Sequence, residues 1–544
     1  MDLKKLADAL IPDNDLMPLE EYEKIYPPRD LEKGAEVTRI APSPTGFMHL
    51  GNLFVALANE RIAHQSGGVF YLRIEDTDDK RKVEGAVEVI HKSLRYFGVN
   101  FDEGADKGGN YGPYYQRRRA KIYRAFAKDL ICRGLAYPCF CGEEELEKTR
   151  AYQTEHKLLP GYYGEFARCR NLSEEEIYEN LKRKKPFVIR LKSQGNAEIK
   201  HTFKDEIKGE ITVPENDQDV VILKSDGIPT YHFAHAIDDH FMRTTLVIRG
   251  EEWLSSLPVH IELFKALGFP LPRYGHNCSL QKTEGENRRK LSKRKDPEAS
   301  LNFYREQGYP PVAVNTYLMT LLNSNFEEWA LKNPGAPYTD FKFSVGKMGK
   351  SGALFDVAKL NDISKTYFAG ISEKQAYTFL KTWADEFASA EEKEYFANEE
   401  YAEKVLALIM GAGSKKRRKD FACAAQAVKL MSYFYGETPE AIDAQRFDGD
   451  TLKNVINSFM RTYDEKDDCS AWFEKVKQAA AENGFAADMK AYKAAPENYK
   501  GNVSDVAEML RIALTGRANT PDLWTIMQIL GREKTMRRLT AAAK

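Results

Sequence analysis

Between residues 37 and 98 the chain switches repeatedly between short apolar runs and amphipathic stretches, and each switch falls on glycine or proline. VTRI (37–40) has the length and β-branched content of a strand, and a loop with Pro42, Pro44 and Gly46 follows it. From about Gly51, Phe54, Leu57, Ala58 and Ile62 recur at helical spacing until Gly67-Gly68. VFYLRI (69–74) predicts a second buried strand, and Val87, Ile90, Leu94 and Phe97 mark another helix closed by Gly98. Such strand–helix alternation implies a parallel sheet with helices on its faces. Ligands of these sheets bind beyond the carboxyl ends of the strands, which directs attention to the loop after residue 40.

A third helix carries Ile122, Phe126 and Leu130 on one side. Residues 135–215 then hold short strands, a cysteine group and highly charged stretches, the mark of an insertion. Strand-like patterning returns at VVILKSD (220–226) and TLVIRG (245–250), which would complete the first domain. From about residue 350 the chain is helical and alanine-rich, with apolar faces at Leu406–Ile409, Val428–Met431, Leu510–Leu514 and Ile526–Leu530. The length of 544 residues suits roughly three to five modules. No apolar run approaches the roughly 20 residues that span a bilayer, and the N-terminus lacks the apolar core of a secretory signal. Seven cysteines, an odd number spread over the chain, suggest reduced thiols and a cytoplasmic protein. With a net charge of −1, nucleic acid would have to be bound by local basic surfaces.

Two segments carry the chemistry. Arg39-Ile-Ala-Pro-Ser43-Pro-Thr45-Gly-Phe-Met-His49-Leu-Gly51-Asn52 joins a strand to a helix, and it is neither a GxxxxGK[ST] loop nor a GxGxxG turn. Gly46 and Gly51 allow close approach of a ligand to the backbone, and His49 lies at the helix start, where free N–H groups favour phosphate. Arg288-Arg-Lys290-Leu-Ser-Lys293-Arg-Lys295 reads as a charged loop able to close over a triphosphate and balance charge on departing pyrophosphate. Either segment alone reads more simply as a proline-rich turn or a solvated basic run.

Together, bracketing an α/β domain in this order, they resemble the HIGH and KMSKS signatures of class I aminoacyl-tRNA synthetases, with Asn52 replacing the last histidine of the first. TRIAPSPTG (38–46), GGVFYLRIEDTD (67–78), LKSDGIPTYHFAHAIDDH (223–240), VIRGEEW (247–253), KLSKRK (290–295) and RIALTGR (511–517) resemble the bacterial glutamyl-tRNA synthetase family. That resemblance implies a multidomain α/β plus all-α protein. A Rossmann-type catalytic domain (35–117 and 230–289) would follow an N-terminal extension (1–34) and hold an inserted acceptor-stem-binding domain (118–229). A KMSKS-type loop and stem-contact region (290–350) and a helical anticodon-binding domain (351–544) would follow.

The resemblance also implies the roles. Arg39 and Arg249 would grip the side-chain carboxylate of glutamate with Tyr231, while Glu75 and Ser43 would hold its ammonium group. Charged hydrogen bonds of this kind contribute about 1.5–3 kcal/mol each. His235 would belong to the same glutamate pocket, though it stands where many bacterial glutamate enzymes carry asparagine and glutaminyl enzymes carry histidine. Thr45, His49, Gly51, Glu252, Trp253, Lys290 and Lys293 would contact ATP, whose magnesium arrives with it, and His49, Lys290 and Lys293 would serve the transition state. The products would be glutamyl-adenylate and then glutamyl-tRNA(Glu), with tRNA(Gln) as a further acceptor left open, on a protein expected to be monomeric. Arg117, Arg118, Arg119, Lys121 and Arg124, and the run 415–419, offer phosphate contacts. Cys139-x-Cys141 and Cys169 resemble a zinc site of some relatives, with Tyr162, Tyr163 or His156 open as a fourth ligand. Structural zinc wants four ligands, so three cysteines favour free thiols.

Overall fold

A computed structural model describes residues 2–12, 15–46, 48–78, 83–292, 294–437 and 446–544. The chain forms two compact units, Met1–Phe303 with Asn315–Asp356, and Tyr304–Val314 with Val357–Lys544.

The first unit is built on parallel pairing. Val37–Ile40 pairs with Val69–Leu72, which pairs with Glu103–Gly104. Leu246–Gly250 pairs with Arg273–Asn277, and Thr245 N donates to Val37 O at 3.0 Å, setting this second pair beside the first. The helix Leu50–Gln65 crosses over between the first two strands and buries Leu53, Phe54, Ala56, Leu57 and Ala58. Its Asn59 fastens two strands: its backbone carbonyl accepts from Thr38 Oγ1 at 2.8 Å, and its side-chain Nδ2 donates to Ile248 O at 3.2 Å. Gly68 lets the chain turn tightly from this helix into the next strand, because a Cβ there would lie 1.9 Å from Glu36 O.

The inserted segment makes its own antiparallel sheet of Ala136–Cys139, Val188–Leu191 and Val221–Leu223. Within the run 220–226, Val221–Leu223 pairs antiparallel with Val188–Leu191 rather than with the parallel strands, in keeping with the bounds 118–229 expected for the insertion. A hairpin, Lys200–Asp205 with Gly209–Pro214, packs Phe203, Ile211 and Val213 against Val247 and Tyr274 of the parallel pair. Its Asp205 accepts from Ile207 N and Lys208 N at 2.9 and 2.7 Å.

Residues before 35, read only as an extension, contribute to the core of this unit. The helix Leu3–Leu10, capped by Asp2 through Lys4 N and Lys5 N, packs on the helix Ala120–Cys132 with Leu6, Ala7 and Leu10 buried. Tyr22 and Tyr26 lie 6.0 and 5.7 Å from the Phe241 ring, and Arg29 makes a two-pronged bond to Glu103 at 2.8 Å.

Apart from short 3-10 turns and bridges, the second unit is helical. One cluster gathers Leu380, Val405, Leu406, Ile409, Val428 and Met431, and another gathers Val455, Phe459, Trp472, Val476 and Leu510. The apolar faces legible in the sequence supply both. Among the described residues no helix is long and apolar enough to cross a membrane.

Candidate active site

Beyond the carboxyl ends of the parallel strands lies a cleft of about 330 Å³. Arg39, Glu75 and Arg249 reach it from three strand ends, and Tyr231 reaches it from the first turn of the helix Tyr231–Phe241. His49, Gly51, Glu252, Trp253 and Lys290 also line it.

The first signature is shaped for close approach. His49 caps the helix Leu50–Gln65, and its N–H donates to Asn52 Oδ1 at 3.1 Å. Asn52, the departure from the HIGH pattern, thus closes the helix start. The His49 ring lies across Gly51, where a Cβ would sit 2.9 Å from two ring atoms. The second signature meets the first through the chain that follows it: His49 and Ser300 form an antiparallel bridge, and Leu301 N donates to Met48 O at 3.2 Å.

The basic segment differs from the expected loop in its first half. Asn287–Lys290 is a strand, paired antiparallel with Leu280–Glu284. Asp296 braces the turn after it, accepting from Arg289 at 2.6 and 2.8 Å and from Ser292 N at 2.8 Å. Lys290 stands at the strand end, exposed, 3.6 Å from Glu252. Lys293 lies outside the described residues.

The charged groups of the cleft differ in how they are neutralised. Arg39 pairs with Asp239 at 3.3 Å, and Arg73 with the same carboxylate at 2.6 Å. Arg73 also holds Glu75 at 3.1 Å. Burial nevertheless pushes Glu75 up to about 7, against the lowering pull of Arg73 and Arg39. Arg249 is buried, and among the described residues no carboxylate lies within ion-pair distance of it. Its donors go instead to His276 Nε2 at 3.0 Å, His260 Nδ1 at 2.9 Å and Trp253 O at 3.3 Å. The guanidinium also lies over the Tyr274 ring at 4.8 Å. The cleft therefore presents a cation and a desolvated carboxylate, each without a full counter-charge.

Three expected residues stand apart from the cleft wall. Ser43 and Thr45 are exposed on the loop between strand and helix, with Thr45 N donating to Ser43 O at 2.8 Å. His235 is fully buried behind Arg39, its Nδ1 3.0 Å from Asp239 and its Nε2 2.9 Å from the Tyr274 hydroxyl. Burial lowers it to about 3, so it is a neutral ring that donates to Asp239 and accepts from Tyr274. Asp239, His260, His276 and Tyr274 hold the site, and none was singled out from sequence. Asp239 sat inside a family-like stretch without an assigned role, and the two histidines carry no motif.

The cysteines come together in the insertion. The sulfurs of Cys139, Cys141 and Cys169 lie within 4.8 Å of one another, and Cys141 and Cys169 are 3.6 Å apart. Of the three residues left open as a fourth ligand, Tyr162 points at the group, its hydroxyl 3.3 Å from Cys139 and from Cys141. This donor set fits a tetrahedral zinc ion, whose bonds of about 2.0–2.3 Å separate its ligands by comparable spans.

A parallel sheet whose cleft is lined by His49 from one signature segment and Lys290 from the other defines a class I synthetase catalytic domain. The family model for "tRNA synthetases class I (E and Q), catalytic domain" matches residues 36–345, and an "Anticodon binding domain" matches 387–543. The chain is 51% identical to the glutamate–tRNA ligase of Acetivibrio thermocellus, over 99% of each protein. It is 36% identical to that of Thermus thermophilus, over 93% of this chain and 99% of the other. Among solved structures, a glutamate tRNA ligase of Elizabethkingia meningosepticum in complex with its amino acid superimposes with a TM-score of 0.74 at 29% identity, covering 93% of this chain and 99% of that one. The chain belongs to the glutamate–tRNA ligase family of class I aminoacyl-tRNA synthetases.

Proposed function

We propose that this protein activates L-glutamate with ATP and passes the glutamyl group to the terminal adenosine of tRNA(Glu). The observation that carries the reading is the buried Arg249 without a carboxylate partner among the described residues, in the same cleft as the desolvated Glu75. An amino acid with an acidic side chain supplies the counter-charge Arg249 lacks and a second cation for Glu75, which shares Arg73 with Asp239. Its side-chain carboxylate meets Arg249, with Arg39 and Tyr231 beside it, and its ammonium group meets Glu75. A glutamine side chain would leave Arg249 desolvated and unpaired, which costs about 3–5 kcal/mol for a buried charge that loses its partner.

The freed α-carboxylate attacks the α-phosphate of ATP, forming the adenylate and releasing pyrophosphate. No covalent intermediate on the protein is required, so rate comes from positioning and charge stabilisation. His49 at the helix start favours phosphate, and Lys290, with Lys293 after it, counters the charge on pyrophosphate. Magnesium enters with ATP. Glu252 releases Lys290 when the triphosphate competes for it. The 3′-terminal ribose hydroxyl of tRNA then attacks the activated carbonyl, and AMP departs. Ser43 and Thr45 act only if their loop folds inward over the substrate.

Cys139, Cys141, Cys169 and Tyr162 are the residues that would hold zinc, which would cross-link the insertion rather than take part in chemistry. The second unit reads the anticodon, and whether tRNA(Gln) is also charged rests on its surface. ATP–pyrophosphate exchange across the amino acids, with tRNA present, tests the reading. Exchange with glutamate is expected, and exchange with glutamine in its place would overturn it.

A further inference from the structure

We infer that His260 and His276 determine the selectivity of this cleft for an acidic amino acid, by holding Arg249 through neutral acceptors and so keeping its charge for the substrate. The inference rests on the reading of the cleft as a glutamate site and names the residues that make it selective.

A buried guanidinium ordinarily pairs with a carboxylate, as Arg39 and Arg73 do with Asp239. Arg249 is held instead by two imidazole nitrogens and a carbonyl. The proton positions follow from the partners. His260 Nδ1 accepts from Arg249, so its ring carries hydrogen on Nε2 and donates to His232 Nδ1 at 2.9 Å. His276 Nε2 accepts from Arg249, and its Nδ1–H donates to Asp205 Oδ2 at 2.6 Å. Protonating either ring a second time would set N–H against N–H. Burial pushes both histidines down and the Arg249 charge adds to it, while Asp205 pulls His276 the other way; an Arg249 N–H aimed at one nitrogen of each ring is what calls for the neutral form. The one carboxylate in the chain of contacts, Asp205, lies a full imidazole away from Arg249. Its charge is already met by the backbone N–H groups of Ile207, Lys208 and His276. Two successive elements, the helix Leu257–Leu267 and the strand Arg273–Asn277, thus supply orientation without counter-charge.

A carboxylate at either histidine position would satisfy Arg249 internally and remove the reason to prefer an acid over its amide. His260→Gln keeps a neutral acceptor, while His260→Glu supplies the counter-charge. The readout is the ratio of kcat/KM for glutamate to that for glutamine, in ATP–pyrophosphate exchange with tRNA present. Because both values come from one preparation, the ratio is independent of the fraction correctly folded. His260→Gln is expected to lose rate yet keep the ratio within about threefold, whereas His260→Glu lowers it at least about 30-fold. His276→Gln and His276→Glu give the same comparison from the other side of the guanidinium should His260→Glu be inactive with both amino acids. Equal ratios for the glutamate and glutamine variants would overturn the inference. A wild-type protein that does not prefer glutamate would instead overturn the reading beneath it.

Discussion

Glu75 shows how far one residue's surroundings fix its task. It shares Arg73 with Asp239 and lies at the cleft wall, where burial brings its protonation into the neutral range, at about 7. Only the ionised form can receive an ammonium group, so kcat/KM for glutamate is expected to rise with pH through about 7 and then level. Glu75→Gln should abolish that limb and lower the plateau, as a pH–rate profile of the two proteins will show. Stability runs the other way. The folded value lies above the ordinary 4.5, so the group's contribution is complete below 4.5 and is lost as pH rises through about 7. Arg39, Glu75 and Arg249 were legible in the sequence because each ends or follows a strand inside a long family-like run. His260 and His276 were not, since a single histidine on a helix face or a strand reads as ordinary core until its partner is seen.

At the scale of elements, the strand–helix alternation could be read directly, because buried strands and one-sided helices leave opposite periods in the sequence. The strand Asn287–Lys290 escaped that reading because its residues are polar or charged on both faces, and only pairing with Leu280–Glu284 reveals it. The N-terminal helices escaped for a different reason. Leu3, Leu6, Ala7 and Leu10 do recur at helical spacing, but the stretch is short, and its importance lies in what it covers. Glu23 meets His240 at 2.6 Å and Arg243 at 2.6 Å, tying the N-terminal segment to the end of the helix that also carries Asp239. Leu6→Ala should therefore destabilise the first unit by about 2–5 kcal/mol, the usual range for a buried leucine, seen as a lower midpoint in thermal or denaturant unfolding. An unchanged midpoint would mean that this segment is an appendage after all.

For the whole molecule, near-neutral net charge hides the question of where tRNA would bind. Much of the basic sequence is consumed internally. Arg119 is buried against Asp238, Arg117 Nε donates to the Asp76 carbonyl at 3.1 Å, and Lys121 pairs with Asp15. In the second unit Arg417 and Arg418 pair with Glu373 and Asp420, while Lys415 and Lys416 stay exposed. The charge count of the sequence overstates the phosphate contacts available, because ion pairs between distant segments leave no local signature. Affinity for tRNA(Glu) should fall log-linearly with salt, and Lys415→Ala with Lys416→Ala should reduce the slope by about 1.4–1.8 if both lysines meet phosphates. Filter-binding titrations across salt concentrations measure this, and an unaltered slope would remove that surface from the interface.

The central claim concerns one cleft that holds a guanidinium with no carboxylate partner among the described residues and a desolvated carboxylate that shares its cation, and the most direct measurement is a crystal structure with L-glutamate bound. The account predicts the side-chain carboxylate on the Arg249 guanidinium and the ammonium group on Glu75. Glutamate lodged elsewhere, or turned so that its side chain leaves Arg249 unpaired, would contradict it.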